Sequence, residues 1–277
     1  MRPDSTASYF PVGRGLNKLL AGLKIVYEYL VLYGGLVLFG LICFSWSLIA
    51  GILRPLLPQR IGIRIGQWTI MAGFRAFLLV MKASGIVHLD LGALDSLRAD
   101  RSLIIAPNHP TLVDVVLIVS RLPNIACIMK AEIWDNIFLG GGARLAGYIR
   151  NDSPRNMIRL ASAATQSASQ LLVFPEGTRT QPHEPVSRFK GGFALIAKTA
   201  GVPVQAVFLE TNSGFLGKGC SLFRKPEFPL IYRARLGRRF EVEGEVKAFV
   251  TDLEGYYRQA LGTGTAGHGE GSSEVLH

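Results

Sequence analysis

The chain has 277 residues, 49% hydrophobic and 18% charged, a balance that excludes an intrinsically disordered polymer and a miniature disulfide scaffold. Its 30 lysines and arginines against 20 acids give a net charge of +10, a field that draws nucleic acid, anionic lipid or an acidic carrier protein without choosing among them. The 3 cysteines, Cys43, Cys127 and Cys220, show no CxxC spacing; they indicate neither a disulfide framework nor a zinc site, and the compartment reads as reducing.

Between Glu28 and Arg54 the sequence YLVLYGGLVLFGLICFSWSLIAGIL carries no Asp, Glu, Lys, Arg or His, its ionisable groups being the phenols of Tyr29 and Tyr33 and the thiol of Cys43. It exceeds the about 20 apolar residues that a bilayer-crossing helix needs. It also outruns the apolar core of a cleaved signal peptide, roughly 7–15 residues before a small-residue site. A retained anchor is expected, stopped by Arg54-Pro55-Leu56-Leu57-Pro58, because proline has no amide donor and constrains the residue before it. Gly34-Gly35 and Gly40 leave open a re-entrant pair of half-helices. A second helix is expected over residues 61–81, where Arg64, Gln67 and Arg75 interleave with Trp68, Phe74 and Phe77, a pattern suited to an anionic membrane surface. Arg54, Arg60, Arg64 and Arg75 outweigh Arg14, Lys18 and Lys24 across the apolar run, so the positive-inside bias puts the bulk of the chain on the cytoplasmic side of the cytoplasmic membrane.

The expected organisation is therefore a two-helix membrane module over residues 1–82, a catalytic domain over 83–261 and a Gly/Ser-rich, disordered tail over 262–277. In the middle segment short apolar runs alternate with amphipathic stretches, which reads as α/β: a mixed sheet flanked by helices. Strands are expected over residues 102–106, 125–129, 171–174 and 204–209, with polar-apolar alternation over 239–246. Helices are expected over 112–121, 134–145, 154–168, 193–200 and 247–261. The third has Ser153 as N-cap and Pro154 at the first helical position.

Two short segments carry chemistry. Asn108-His109-Pro110-Thr111-Leu112-Val113-Asp114 falls where an apolar strand gives way to a helix, the end of an α/β sheet where ligands bind. A carboxylate five residues beyond a histidine can fold back onto one imidazole nitrogen and leave the other as a base. The same pair could equally be a hydrogen bond at a helix start with no catalytic part. Phe174-Pro175-Glu176-Gly177-Thr178-Arg179-Thr180 follows a second strand, and its turn would project Glu176 and Arg179 from one loop. A guanidinium there suits phosphate oxygens, although a Glu-Arg ion pair closing the turn would need no ligand.

Together, NHxxxxD and then FPEGTR resemble the first and third blocks of the glycerophosphate and lysophospholipid acyltransferase family, over the stretch from Leu103 to Glu210. Gly147-Tyr148-Ile149-Arg150 resembles the second block and Val202-Pro203-Val204 the fourth. Lys130 and the stretch from Arg188 to Gly192 fall where members keep basic and glycine residues. The resemblance implies an acyl thioester donor (acyl-CoA or acyl carrier protein), a lipid alcohol acceptor, no further cofactor and a site at the membrane surface. It makes His109 the general base and Asp114 its orienting partner, with Glu176, Gly177 and Thr178 shaping the acceptor loop. It also gives Arg150 and Arg179 an acceptor phosphate, and offers Lys130, or amides after Pro110, to the oxyanion.

The commonest acceptor in such a family is 1-acyl-glycerol 3-phosphate. Pro110-Thr111 and the run from Cys127 to Ala131 also resemble side-branch members that acylate ornithine-type aminolipids or polyene lipids, and a thioester or lipid hydrolase would use the same His-Asp pair on water. No GxSxG elbow occurs, so transfer is expected without an acyl-enzyme, and Cys127 reads as a small core residue. The Arg233, Arg235, Arg238 and Arg239 cluster invites a nucleic-acid reading. The apolar segment argues against it, leaving a solvated strand face or a dock for an acidic carrier or lipid.

Overall fold

The structure, a computed structural model, describes residues 12–167 and 169–262. Its centre is a 7-stranded mixed sheet in the order β1-β7-β6-β2-β5-β3-β4. The strands are β1 (Val87–Asp90), β2 (Leu103–Pro107), β3 (Ile125–Lys130), β4 (Ile149–Asn151), β5 (Gln170–Leu172), β6 (Val204–Thr211) and β7 (Leu230–Phe240). From β6 to β4 every pairing is parallel, while β7 runs antiparallel to β6 and carries β1 beside it in parallel. The central strands are buried on both faces, as Leu103 to Pro107 are throughout, which is why β2 reads as a continuous apolar run.

The two long helices, α1 (Val12–Leu56) and α2 (Gln59–Ala83), form an antiparallel pair joined at Leu57-Pro58. α1 has 45 residues, roughly 65 Å at the helical rise, about twice a bilayer's hydrocarbon thickness. It is unbroken at Gly34, Gly35 and Gly40, which removes the re-entrant pair of half-helices. Gly35 serves packing instead: a Cβ there would lie 2.6 Å from Met81 Sδ. One turn further, Phe39 packs on Phe77 with ring centroids 4.9 Å apart.

The expected helix over 134–145 is two pieces, α4 (Ala131–Trp134) and α5 (Gly140–Leu145). The run Gly140-Gly141-Gly142 is poor helix but lets α1 approach closely: a Cβ on Gly141 would meet the Ser47 carbonyl oxygen at 2.1 Å, and Ser47 Oγ accepts from the Gly141 amide at 2.9 Å. α1 thus packs onto the rest of the protein between Glu28 and Ala50, where Glu28, Leu32, Cys43, Ser47 and Ala50 are buried, while residues 17–27 are exposed. Its outward residues Val37, Leu41, Leu48 and Ile52 are exposed.

The remaining helices are α3 (Asp114–Val119), α6 (Pro154–Gln166), α7 (Gly192–Ala200) and α8 (Val246–Gly262). Ser153 does stand at the N-cap of α6 with Pro154 next, yet its hydroxyl makes no capping hydrogen bond; the helix starts on backbone geometry. Tyr257 of α8 is fully buried, donating to the Ala106 carbonyl of β2 and accepting from the Val207 amide of β6 at 3.0 Å. The alternation expected over 239–246 lies earlier, in β7, where Leu230, Tyr232 and Ala234 point inward and Arg233 and Arg235 outward. The arginine cluster there is largely neutralised: Arg233 Nε donates to Asp90 at 3.0 Å and Arg235 Nε to Glu210 at 2.8 Å. Arg239 pairs with Asp100, and Arg238 stacks over Phe240 at 5.3 Å. Apart from Gly262, the last residue of α8, the expected disordered tail lies outside the described residues.

The close contacts give an asymmetric expectation for two glycines of the helical module. Gly141→Val should destabilise the protein by roughly 1–3 kcal/mol, because the new side chain strikes backbone. Gly34→Ala, whose Cβ meets nothing within 4 Å, should be neutral or stabilise by up to about 1 kcal/mol. Denaturant midpoints of the two variants in one detergent check both.

Candidate active site

β2 delivers the first motif. At its carboxyl end Asn108 is buried and continues the sheet with its side chain: Nδ2 donates to the Leu209 carbonyl at 2.9 Å and Oδ1 accepts from the Leu209 amide at 2.7 Å. That fixes the chain immediately before His109. The imidazole stacks on Phe174, centroids 3.8 Å apart and planes 20° from parallel, and its Nδ1 bonds Asp114 Oδ2 at 2.8 Å.

Asp114, the first residue of α3, is 1% exposed and fully engaged. Oδ2 also accepts from the Thr111 amide at 2.8 Å, and Oδ1 accepts from the Thr111 hydroxyl at 2.6 Å. Burial pushes this carboxyl above its ordinary range, and the bonds from His109 and Thr111 pull it back. With a carboxylate on Nδ1, the neutral ring carries its proton there and Nε2 keeps a lone pair.

β5 leads into the second motif, whose Thr178 and Arg179 line the cavity described below while its glutamate turns inward. Glu176 is 1% exposed and its carboxylate is spent on the protein. Oε1 accepts from the His109 amide at 2.9 Å and the Thr180 hydroxyl at 2.8 Å, while Oε2 accepts from the Ser187 amide at 2.8 Å. It neither lines the cavity beside the site nor pairs with Arg179; it holds the histidine loop. Gly177 turns at φ +67°, and a Cβ on it would lie 3.0 Å from Lys190 Nζ. The left-handed turn favours a glycine here, and the Lys190 side chain rests over it.

The site opens into a cavity of about 820 Å³. Its walls are mostly apolar, with Phe39, Trp46 and Phe74 from the long helices and Val116, Met129 and Ile196 from the domain. His109, Thr178, Arg179, Lys130 and Lys190 line the same space. Arg179 Nη1 donates to the carbonyls of Leu216 and Gly217 at 3.0 and 2.7 Å. Among the described residues no carboxylate neutralises Arg179, Lys130 or Lys190. Arg150 stands apart: it does not line the cavity, and its guanidinium is taken by Asp135 at 2.7 Å and Asp152 at 3.1 Å. Cys127 is buried in β3, its thiol pushed up to about 12 by burial, so near neutral pH it is a thiol and no nucleophile. Among the described residues no three His, Cys, Asp or Glu side chains converge as metal ligands.

Sequence reasoning assigned no part to Asn108, Thr111, Phe174 or Ser187, and none individually to Lys190. Thr111 lay inside the motif, and a hydroxyl three residues before a carboxylate at a helix start was the available signal.

If Glu176 organises the histidine loop, Glu176→Gln should lower kcat and leave the acceptor KM nearly unchanged. It should also cost about 1–3 kcal/mol of stability, since the amide NH₂ confronts donors. Steady-state kinetics with thermal unfolding separates this from a role in acceptor binding.

The acyltransferase family model matches residues 88–210. The 1-acyl-sn-glycerol-3-phosphate acyltransferase of Helicobacter pylori is 30% identical over 141 residues, 49% of this chain and 58% of that relative; the chain thus matches little more than half of the relative's length. The crystal structure of the 1-acyl-sn-glycerophosphate acyltransferase PlsC from Thermotoga maritima superposes with a TM-score of 0.65, covering 90% of this chain and 99% of that one at 18% identity. At that identity the likeness is one of fold.

Proposed function

We propose that this chain, whose residues 88–210 belong to the acyltransferase family, moves an acyl group from a thioester to the hydroxyl of an anionic lysophospholipid at a membrane surface, with 1-acyl-glycerol 3-phosphate the first acceptor to test. The observation that carries the reading is His109, clamped at Nδ1 by a buried aspartate, at the edge of a large apolar cavity that also holds Lys130, Arg179 and Lys190.

The chemistry follows from that arrangement. Nε2 takes the proton of the acceptor hydroxyl as its oxygen attacks the thioester carbonyl, and Asp114 stabilises the resulting imidazolium. The tetrahedral intermediate collapses with loss of thiolate, which takes the proton back from Nε2. Lys130 or nearby backbone amides face the oxyanion. The apolar walls suit an acyl chain. Arg179 and Lys190 suit the acceptor's phosphate, a part in which Lys190 replaces Arg150.

The packing of α1 supports a helix lying in the membrane interface rather than crossing it. Were it to cross, α5 and its neighbours would be carried into hydrocarbon with polar backbone exposed.

Wild type and His109→Ala, incubated with labelled acyl thioester and 1-acyl-glycerol 3-phosphate and read by mass spectrometry, test the reading. Phosphatidic acid should form with wild type and fall by roughly 10²–10⁴ in the variant. Free fatty acid as sole product would make the protein a hydrolase, and turnover confined to an aminolipid or polyene acceptor would replace the acceptor. In the same assay Lys190→Ala and Arg179→Ala should each raise the acceptor KM by roughly ten- to a hundred-fold, while Arg150→Ala, losing only exposed pairs, should change it little.

A further inference from the structure

The connection between β6 and β7, residues 212–229, is far longer than the two to about five residues that join antiparallel neighbours. It is fastened at two points. Near its start the Leu216 carbonyl accepts from the Leu112 amide at 3.1 Å, and Leu216 and Gly217 accept from Arg179. Near its end Lys225 forms an ion pair with Glu28 of α1, and its ammonium lies 5.7 Å from the ring centres of both Tyr29 and Phe228. The loop therefore straps the histidine and arginine loops to the long apolar helix.

Between the two fastenings its tip turns outward. Phe223 is 80% exposed and Leu222 41%, and Leu222, Leu112 and Phe138 are exposed while also lining the cavity, so they form its rim. Lys218 and Arg224 stand on either side of Leu222-Phe223 with no ion pair among the described residues. An aromatic-aliphatic pair between two cations, on a loop tied to Glu28 and Tyr29 of α1, has the make-up of a segment that dips into an anionic interface. Water would have to hydrate it unfavourably otherwise.

We propose that the tip of loop 212–229 is a second membrane contact, separate from α1 and α2. It inserts Leu222 and Phe223 below the headgroups of an anionic phospholipid bilayer while Lys218 and Arg224 meet the phosphates. The cavity rim is thereby seated at the bilayer surface. The proposal rests on the membrane reading of α1 given above, and not on the reaction.

The test uses the full chain with Cys220→Ser, Cys43 and Cys127 being buried, and an environment-sensitive label on one introduced cysteine. The sites are Ser221→Cys beside the tip, Ile52→Cys on the exposed side of α1 and Arg238→Cys at the far end of β7. Vesicles are phosphatidylcholine with or without phosphatidylglycerol, carrying a quencher on the acyl chains. Labels at 221 and 52 should be quenched and the label at 238 not. Quenching at 221 should grow with phosphatidylglycerol, and its insertion equilibrium should weaken roughly five-fold for each of Lys218→Ala and Arg224→Ala. Leu222→Ser with Phe223→Ser should abolish quenching at 221 and leave it at 52.

Quenching at 52 without quenching at 221 overturns the loop contact and spares the α1 reading; absence at both overturns both. Protection at 221 that appears without lipid, on adding an acidic carrier protein or on raising the protein concentration in detergent, assigns the tip to a protein or to a second copy and equally overturns the proposal.

Discussion

One buried carboxylate joins the two halves of the site. Glu176 leaves the end of β5 and accepts the amide of His109 at the end of β2, the Thr180 hydroxyl and the Ser187 amide. A charged acceptor in a dry setting holds its donors strongly, and leaving them unpaired is costly. Through it the histidine loop, the turn at Gly177 and the stretch leading to Lys190 become one rigid piece. The imidazole is held in turn by a second buried carboxylate, Asp114, itself fixed twice by Thr111. In the proposed reaction a base held this way starts close to its reacting geometry, which is where positioning contributes to rate.

The long helices complete that piece rather than merely anchoring it. Phe39, Trp46 and Phe74 supply walls of the cavity that His109 faces, and α1 comes close enough to do so because Gly141 and Gly142 offer no side chains. In the proposed function, a helix pair with an exposed apolar flank on one side and the cavity on the other would tie membrane position to access. The loop over residues 212–229 bridges the same two regions, from Arg179 to Glu28.

How much of this was legible in sequence depends on range. The His109–Asp114 bond is local, and spacing sufficed. The expected mixed α/β sheet is the one observed, because β2, β3, β5 and β6 are apolar runs bounded by turn residues. β1 and β4, at 4 and 3 residues, are too short to carry a period, and α4 and α5 were merged because apolar spacing runs across the break at Asp135. The outward arginines of β7 drew attention to charge and away from the alternation they belonged to.

The functional assignments that changed are the tertiary ones. Glu176 looked like a ligand-facing acid because its partner amide lies 67 positions away in sequence, and Arg150, given an acceptor phosphate by the family resemblance alone, is paired with Asp135, which is 15 positions away, and with Asp152. Lys190 becomes visible only when its ammonium is seen over Gly177.

At the centre of the proposed mechanism the acyl group passes directly from the thioester to the acceptor hydroxyl, and His109 moves only the proton. The most direct test is the intact mass of the protein after mixing with acyl thioester in the absence of any acceptor. The proposed mechanism predicts an unchanged mass, because the acyl group rests on no side chain. A chain heavier by one acyl group, discharged when the lipid alcohol is added, would contradict it.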